Sequence, residues 1–139
     1  MSSWTTLRSL SRADWGVLAR CLWLIPVVEW NVRWRAPRHW LPAPTQSGSA
    51  PAEPTPTGAP SPAAARVTQL VEAVYRRLPF SPTCLTRSLV TYRLLRARGV
   101  PCQLRIGLRK SGAALEGHAW TETGPAPAEA DGFEVMLSF

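Results

Sequence analysis

Apolar positions recur along this chain with two different periods. Between residues 64 and 99 they recur every three or four residues, which predicts two helices, the first ended by Pro79 and the second by Gly99. From residue 102 they recur at every second residue, which predicts three strands. The positions are Val67, Leu70, Val71, Val74 and Leu78 in the first helix, Leu85, Leu89, Tyr92 and Leu95 in the second, Cys102, Leu104, Ile106 and Leu108 in the first strand, Leu115 to Glu122 in the second, and Phe133, Val135, Leu137 and Phe139 in the last. This order predicts an α+β domain with a small antiparallel sheet over residues 64–139.

Residues 1–40 form a separate block, which we predict to be a helical arm rich in tryptophan and arginine. Ser11 is a suitable N-cap, and apolar residues follow it at helical spacing, while Pro26 should kink or end the first segment. These apolar residues are Trp15, Leu18, Leu22 and Ile25. We expect the arm to pack on the domain; a partner-protein surface and an interfacial membrane helix are the alternatives, since both favour aromatic residues beside arginines.

Residues 41–63 have the composition of a linker. They contain seven prolines among Ser, Thr, Ala and Gly, and Glu53 is the one charged residue. Such a stretch cannot build a core, so we predict an extended or flexible connection between the arm and residues 64–139.

Charge and cysteine content narrow the class of protein. Lys and Arg total 16 against 9 Asp and Glu, and this net charge of +7 could attract nucleic acid, an acidic peptide or a membrane surface. The densest apolar run, Cys21 to Val28, is far shorter than the roughly 20 residues of a membrane span, and no signal peptide is evident. Three cysteines without metal-ligand spacing predict a reducing, cytoplasmic location and neither metal nor cofactor.

Two residues have the setting of a nucleophile and its base. Ser81 and Pro82 suit the N-cap and first position of the second helix, which would put Cys84 in the first turn, where the helix dipole stabilises a thiolate. His118 lies among small residues on the middle strand, and a cysteine nucleophile needs such a partner. The other histidine, His39, lies beside the proline-rich tract.

Other side chains near these two have structural interpretations. We predict that Cys21 and Cys102 are small core residues, because each lies on an apolar face. Trp120 could pack in the core or form a wall of a cleft, and we favour the core. Glu122 and Glu134 are expected to be solvated strand residues.

Four segments resemble lasso-peptide leader peptidases, which are small transglutaminase-like cysteine proteases. The segments are Cys84-Leu85-Thr86-Arg87-Ser88-Leu89, the helix end Leu94-Leu95-Arg96-Ala97-Arg98-Gly99-Val100, the strand Leu104-Arg105-Ile106-Gly107-Leu108, and Gly117-His118-Ala119-Trp120-Thr121-Glu122. The resemblance covers roughly residues 64–131. It implies a transglutaminase-like or papain-like core whose cysteine-bearing helix packs on the sheet.

The resemblance also implies a function and partners. The family removes the leader from a ribosomally made lasso precursor peptide before an ATP-dependent cyclase closes the macrolactam ring. Residues 1–40 are too short and lack the alternation for the family's precursor-recognition domain, so this chain resembles the split form. We therefore expect a separate recognition protein to bring the leader, docked with the help of the arm.

The resemblance further implies an acidic residue about a dozen positions after the histidine, to orient the imidazole. A turn centred on Thr123 and Gly124 would place Glu129 opposite His118, whereas a turn centred on Gly124 and Pro125 would place Asp131 there. We favour Asp131, because the residue is usually aspartate in the family.

Three functions fit these observations. In the first, Cys84 attacks the scissile carbonyl, His118 protonates the departing amine, and the Cys84 N–H with a second donor holds the oxyanion. In the second, the same acyl-enzyme passes the acyl group to an amine, as in transglutaminases. The third is a non-enzymatic basic binding protein, although no nucleic-acid-binding motif is present and we expect no nucleic-acid partner.

Overall fold

The computed structural model describes residues 11–35, 45–46, 58–124 and 130–139. These residues form three helices and four strands, and the predicted α+β class is confirmed. The helices are α1 (Arg12–Trp34), α2 (Pro62–Tyr75) and α3 (Cys84–Arg96). The strands are β1 (Thr45–Gln46), β2 (Gln103–Ser111), β3 (Ala114–Glu122) and β4 (Glu134–Ser138).

The sheet is antiparallel with strand order β1-β4-β2-β3. A two-residue turn joins β2 to β3, and Gly112 within it has a φ of 61°, a conformation that glycine adopts without strain. Gly107 at the centre of β2 faces His118 on one side and Val135 of β4 on the other. The sheet position beside His118 is therefore occupied by a glycine.

The predicted hairpin between the histidine strand and the last strand is wrong. Both β3 and β4 pair with β2 in antiparallel orientation, so they run parallel to each other and the chain between them must pass across β2. Asp131 lies in the turn before β4 and not opposite His118. Glu129 lies outside the described residues.

Helix α1 contributes one side of the hydrophobic core. Val17, Cys21, Ile25 and Val28 are all at most 2% exposed and pack with buried residues of α2, α3 and β2. The helix continues through Pro26 to Trp34, so the expectation that Pro26 could end it is wrong. Its buried face also differs from the predicted one, because Trp15 and Leu22 are exposed and only Ile25 of the four expected positions is fully buried.

Polar contacts fix α1 to the other helices. Ser11 caps α1 as predicted, in a reciprocal capping box with Asp14. The buried Asp14 carboxylate also accepts hydrogen bonds from Arg66 of α2, of which the one from Nη2 is 3.0 Å long. The bonds from Arg66, together with the bond from the Ser11 backbone N–H, lower the pKa of Asp14 to about 2. Glu29 accepts a 2.8 Å hydrogen bond from the hydroxyl of Thr86 in α3.

Helix α3 ends as the sequence predicts. Gly99 has a φ of 69°, and the N–H of Val100 donates to the carbonyl of Leu95 at 3.0 Å. This is the Schellman arrangement, which satisfies carbonyls that the last helical turn leaves unpaired. It turns the chain directly into β2.

Candidate active site

Cys84 is the first residue of α3, and its side chain is exposed. The cap is Thr83 rather than the predicted Ser81: the Thr83 hydroxyl accepts from the N–H of Thr86 at 3.2 Å. The helix thus begins two residues later than expected. The shift brings Cys84 from inside the first turn to its outermost position, where the positive end of the helix dipole is strongest.

Two backbone donors beside the thiol have no acceptor. A helix leaves its first four N–H groups without intrahelical partners, and here the Thr83 hydroxyl satisfies that of Thr86. Within the described part of the chain, the N–H groups of Cys84 and Leu85 make no hydrogen bond. They can therefore receive an anion that forms next to the Cys84 sulfur.

Two hydrogen bonds, one of them buried, attach α3 to the histidine strand. The Ser88 hydroxyl donates to the Ala119 carbonyl at 2.7 Å, and the Thr121 hydroxyl donates to the Ser88 carbonyl at 2.9 Å. Ser88 is four residues after Cys84, so both lie on the same side of α3. The side of α3 that carries the cysteine is thus the side that meets β3.

The direction of α3 places Cys84 toward the histidine end of that strand. The Cys102 thiol lies 3.8 Å from the Tyr92 carbonyl, so the later half of α3 lies where β2 begins. That end of β2 pairs with the end of β3, since Gln103 faces Glu122. The N-terminus of α3 therefore lies toward the part of β3 that includes His118. The His118 side chain itself is on the other face of the sheet, with Trp120, because Thr121 faces α3 and successive residues of a strand face opposite sides.

His118 is enclosed by aromatic rings. Its ring lies 6.0 Å from that of Trp120, nearly parallel at 18°, and 5.3 Å from that of Phe133. Its Nε2 atom is buried and has no hydrogen-bond partner among the described residues. A buried polar atom without a partner is costly, which makes this nitrogen a position where a donor or acceptor is to be expected.

Asp131 lies outside the sheet, in the turn before β4, and it makes no hydrogen bond to His118. It is exposed in the turn that leads to Phe133, and that turn lies against Arg109, whose guanidinium is 4.4 Å from the Phe133 ring centroid. No hydrogen bond among the described residues joins Cys84, His118 and Asp131 to one another. The roles of these three residues remain predictions.

Sequence reasoning missed a buried charged group behind the histidine. Glu122 is 5% exposed, so the expectation of a solvated residue is wrong, whereas Glu134 is exposed as expected. One Glu122 oxygen accepts from the Trp120 indole at 3.0 Å and the other from Arg105 at 2.6 Å. The sequence pattern could have indicated this burial, because strand alternation puts Arg105 and Trp120 on the same face of the sheet as Glu122.

The other predicted structural side chains are buried. Trp120 is 2% exposed, as favoured, and it also contacts His118. Cys21 and Cys102 are confirmed as core residues, and burial raises the pKa of each thiol to about 11. Neither is suited to act as a nucleophile, because the thiolate is the reactive form.

The described residues contain no group of three or more His, Cys, Asp or Glu side chains that could hold a metal ion. None of the described helices combines the length and the apolar character needed to cross a bilayer.

Comparison with known proteins assigns the family. A search of curated proteins and a search of solved structures found no match. The model of the Transglutaminase-like superfamily matches residues 24–138. This range includes α1 from residue 24 onward, the whole of α2 and α3, and all four strands. Since this match covers well over half of the chain, the protein belongs to the Transglutaminase-like superfamily.

Proposed function

We propose that this protein is a cysteine peptidase that removes the leader from a ribosomally synthesised lasso precursor peptide. Its superfamily consists typically of cysteine-based enzymes. The observation that carries the proposal is the setting of Cys84: an exposed thiol at the first position of α3, beside two unpaired N–H groups, on a helix bonded to the histidine strand. The leader-peptidase specificity is supported by the four sequence segments and their order.

The reaction proceeds in two steps. The Cys84 thiolate attacks the scissile carbonyl carbon, and the resulting oxyanion is held by the N–H groups of Cys84 and Leu85. The His118 imidazolium donates a proton to the departing amine as the carbon–nitrogen bond breaks, which leaves a thioester. His118 then accepts a proton from water, the water oxygen attacks the thioester, and the leader carboxylate leaves as the thiolate is restored.

Asp131 is the residue we assign to orient the imidazole. Its turn is connected to Phe133, which contacts the His118 ring, so a small movement of this turn changes the surroundings of the histidine. Glu129 is the alternative, on the same family spacing. An orienting carboxylate stabilises the imidazolium and holds the correct tautomer.

A separate recognition protein brings the leader to this chain, and an ATP-dependent cyclase uses the released core peptide. The arm was expected to help this docking. Deleting it is a poor test, because four core residues of α1 would be lost with it. Substitutions on the exposed side of α1 test docking without removing the core.

The proposal is tested by incubating the full chain with a lasso-type precursor and a recognition protein from the same genome, followed by mass spectrometry. The expected products are a leader fragment and a shortened core peptide, with no product from Cys84→Ala. A leader joined to an added amine would instead indicate acyl transfer. Intact precursor, together with salt-dependent oligonucleotide binding that persists in Cys84→Ala, would support the non-enzymatic alternative.

A further inference from the structure

The outward side of α1 is an exposed apolar surface of unusual composition. Its five large side chains are between 53% and 71% exposed, and we call them the tryptophan face: Trp15, Leu22, Trp23, Trp30 and Trp34. The tryptophans are separated by eight, seven and four residues, or about 2.2, 1.9 and 1.1 helical turns, so all four lie within about a third of the helix circumference. The rings of Trp30 and Trp34 lie 5.7 Å apart, as this spacing requires.

This surface cannot be hidden by rotating the helix. The opposite side of α1, formed by Val17, Cys21, Ile25 and Val28, is already buried against α2, α3 and the sheet. The tryptophan face extends for about 29 Å, because 19 residues separate Trp15 from Trp34 and each adds about 1.5 Å. Contiguous exposed apolar surfaces of this kind mark sites of interaction.

Positive charge accompanies the tryptophans and is not neutralised within the helix. Arg12 and Arg20 are exposed on α1, and the exposed Arg35 follows its last residue. The two carboxylates of α1 bind other groups than these three arginines: Asp14 is buried and bound to Arg66 of α2, and Glu29 pairs with Arg33 of the same helix and accepts from Thr86. The occupant of this surface therefore has to be apolar in part and negatively charged.

We propose that the tryptophan face binds the surface of an anionic lipid bilayer, with α1 lying parallel to the membrane plane. Indole rings favour the level of the lipid headgroups, where the ring is buried and the N–H remains hydrated, and arginines pair with lipid phosphates. The face is a convex ridge spread along a single helix. A bilayer surface receives such a ridge without a matching groove, whereas a protein partner needs a groove of the same length.

The other side of α1 then holds the catalytic domain against the membrane. α2, α3 and the sheet lie on the side away from the lipid, so Cys84 stays in water while the chain is bound. The interaction needs neither Cys84 nor His118, so it is independent of the proposed peptidase activity. It locates the protein at a surface without changing the chemistry of its site.

Flotation of the full chain with lipid vesicles tests the proposal. The protein should float with vesicles of equal parts phosphatidylglycerol and phosphatidylcholine, float much less with phosphatidylcholine alone, and be released by high salt. The double variant Trp23→Ala with Trp30→Ala should lose at least about tenfold in affinity for the anionic vesicles, because binding scales with the buried apolar area. Leu115→Ala with Met136→Ala, which removes equally exposed apolar side chains from the sheet, should bind like the original chain.

A second variant is needed because a misfolded tryptophan variant could also fail to bind vesicles. Arg12→Gln with Arg20→Gln leaves the tryptophans in place and should lose affinity for anionic vesicles only. The proposal is overturned if the chain does not float with anionic vesicles, or if the tryptophan variant floats as well as the original. It is also overturned if the tryptophan face instead mediates a protein complex, seen as a dimer or a stable partner complex that Trp23→Ala with Trp30→Ala dissociates while vesicles are not bound.

Discussion

The indole of Trp120 lies directly over the Cα atom of Gly107 on the neighbouring strand. A Cβ atom at residue 107 would be 2.9 Å from Trp120 Cη2 and 3.0 Å from the Glu134 carbonyl oxygen. Real Cβ atoms do not approach other atoms so closely, so residue 107 has to be glycine for the indole to keep its place. Because that indole stacks on His118, the absence of one methyl group in β2 sets the position of the histidine ring.

Gly107→Ala should therefore disturb both stability and the site. Displacing a large buried ring costs about 1–3 kcal/mol of unfolding free energy, and peptide cleavage should fall because His118 moves with Trp120. Gly16→Ala is the matched control: it lies in α1 with no atom near its added Cβ, and should stabilise the chain by about 0.5–1 kcal/mol. Urea unfolding measures both, and equal stability of the two variants would contradict the Trp120 contact.

Glu122→Gln should destabilise the chain by about 1–3 kcal/mol, because the mostly buried Arg105 guanidinium loses its counter-charge. Glu134→Gln changes an exposed carboxylate on β4 and should stay within about 0.5 kcal/mol of the original. Both are measured by denaturant unfolding. If the two substitutions had the same effect, Glu122 would be the solvated residue that sequence alone suggests.

The three thiols should differ sharply in their access to reagents. Iodoacetamide should modify Cys84 in the folded protein, whereas Cys21 and Cys102, at 0% and 5% exposure, should react only after unfolding. The raised pKa of the two buried thiols acts in the same direction, since it keeps them protonated. Peptide mass spectrometry after brief labelling identifies the sites. Labelling of Cys102 before Cys84 would contradict the assignment of the nucleophile.

Acid should weaken the attachment of α1. The pKa of Asp14 is lowered from 3.8 to about 2 in the folded chain by Arg66 and the backbone N–H of Ser11. The unfolded chain therefore binds the proton more tightly, and the stabilisation present above pH 3.8 is lost as the pH falls toward about 2. The stability difference between the original chain and Asp14→Asn should shrink across this interval. A difference that stays constant in urea unfolding down to about pH 2 would contradict the Arg66 interaction.

Asp131→Asn should reduce kcat by about a hundredfold or more with little change in KM, because an orienting carboxylate acts on the chemical step. Glu129→Gln should have a milder effect, and neither substitution should alter unfolding much. Initial rates of precursor cleavage, measured over a range of precursor concentrations, give both constants. The reverse ranking would assign the orienting role to Glu129.

Local periodicity was sufficient for the elements that bury one face. The alternation at Cys102 and Leu104 identifies the inner side of β2, and Gly99 marks the end of α3 because a left-handed residue there needs no information from elsewhere in the chain. The helix start was predicted two residues too early: Ser81 and Thr83 are both suitable caps, and the contact with Thr86 selects Thr83.

Periodicity does not show which strands pair with one another or which side of a helix packs on the core. Alternation states which face of β4 is buried, but not on which side of β2 the strand lies, and the expected hairpin failed for that reason. Helix α1 is apolar on nearly every side, so its pattern did not separate the buried Val17 and Cys21 from the exposed Trp15 and Trp23. In the site, the positions of Cys84 and His118 in their elements could be read locally, whereas the burial of Glu122 depends on Arg105, 17 residues away.

The hydrogen bond from Thr86 to Glu29 has a consequence for the order of folding. Thr86 also lies 3.0 Å from the Thr83 hydroxyl, so the cap at Cys84 is completed by a residue that lies 57 positions earlier in the chain. Local capping forms as soon as α3 does, but this longer contact has to wait until a large loop has closed. We therefore expect the first turn of α3 to reach its final arrangement late, after α1 has docked. In a chain that has not yet reached that step, the Cys84 thiol lies on a helix N-terminus that lacks the contact with Glu29.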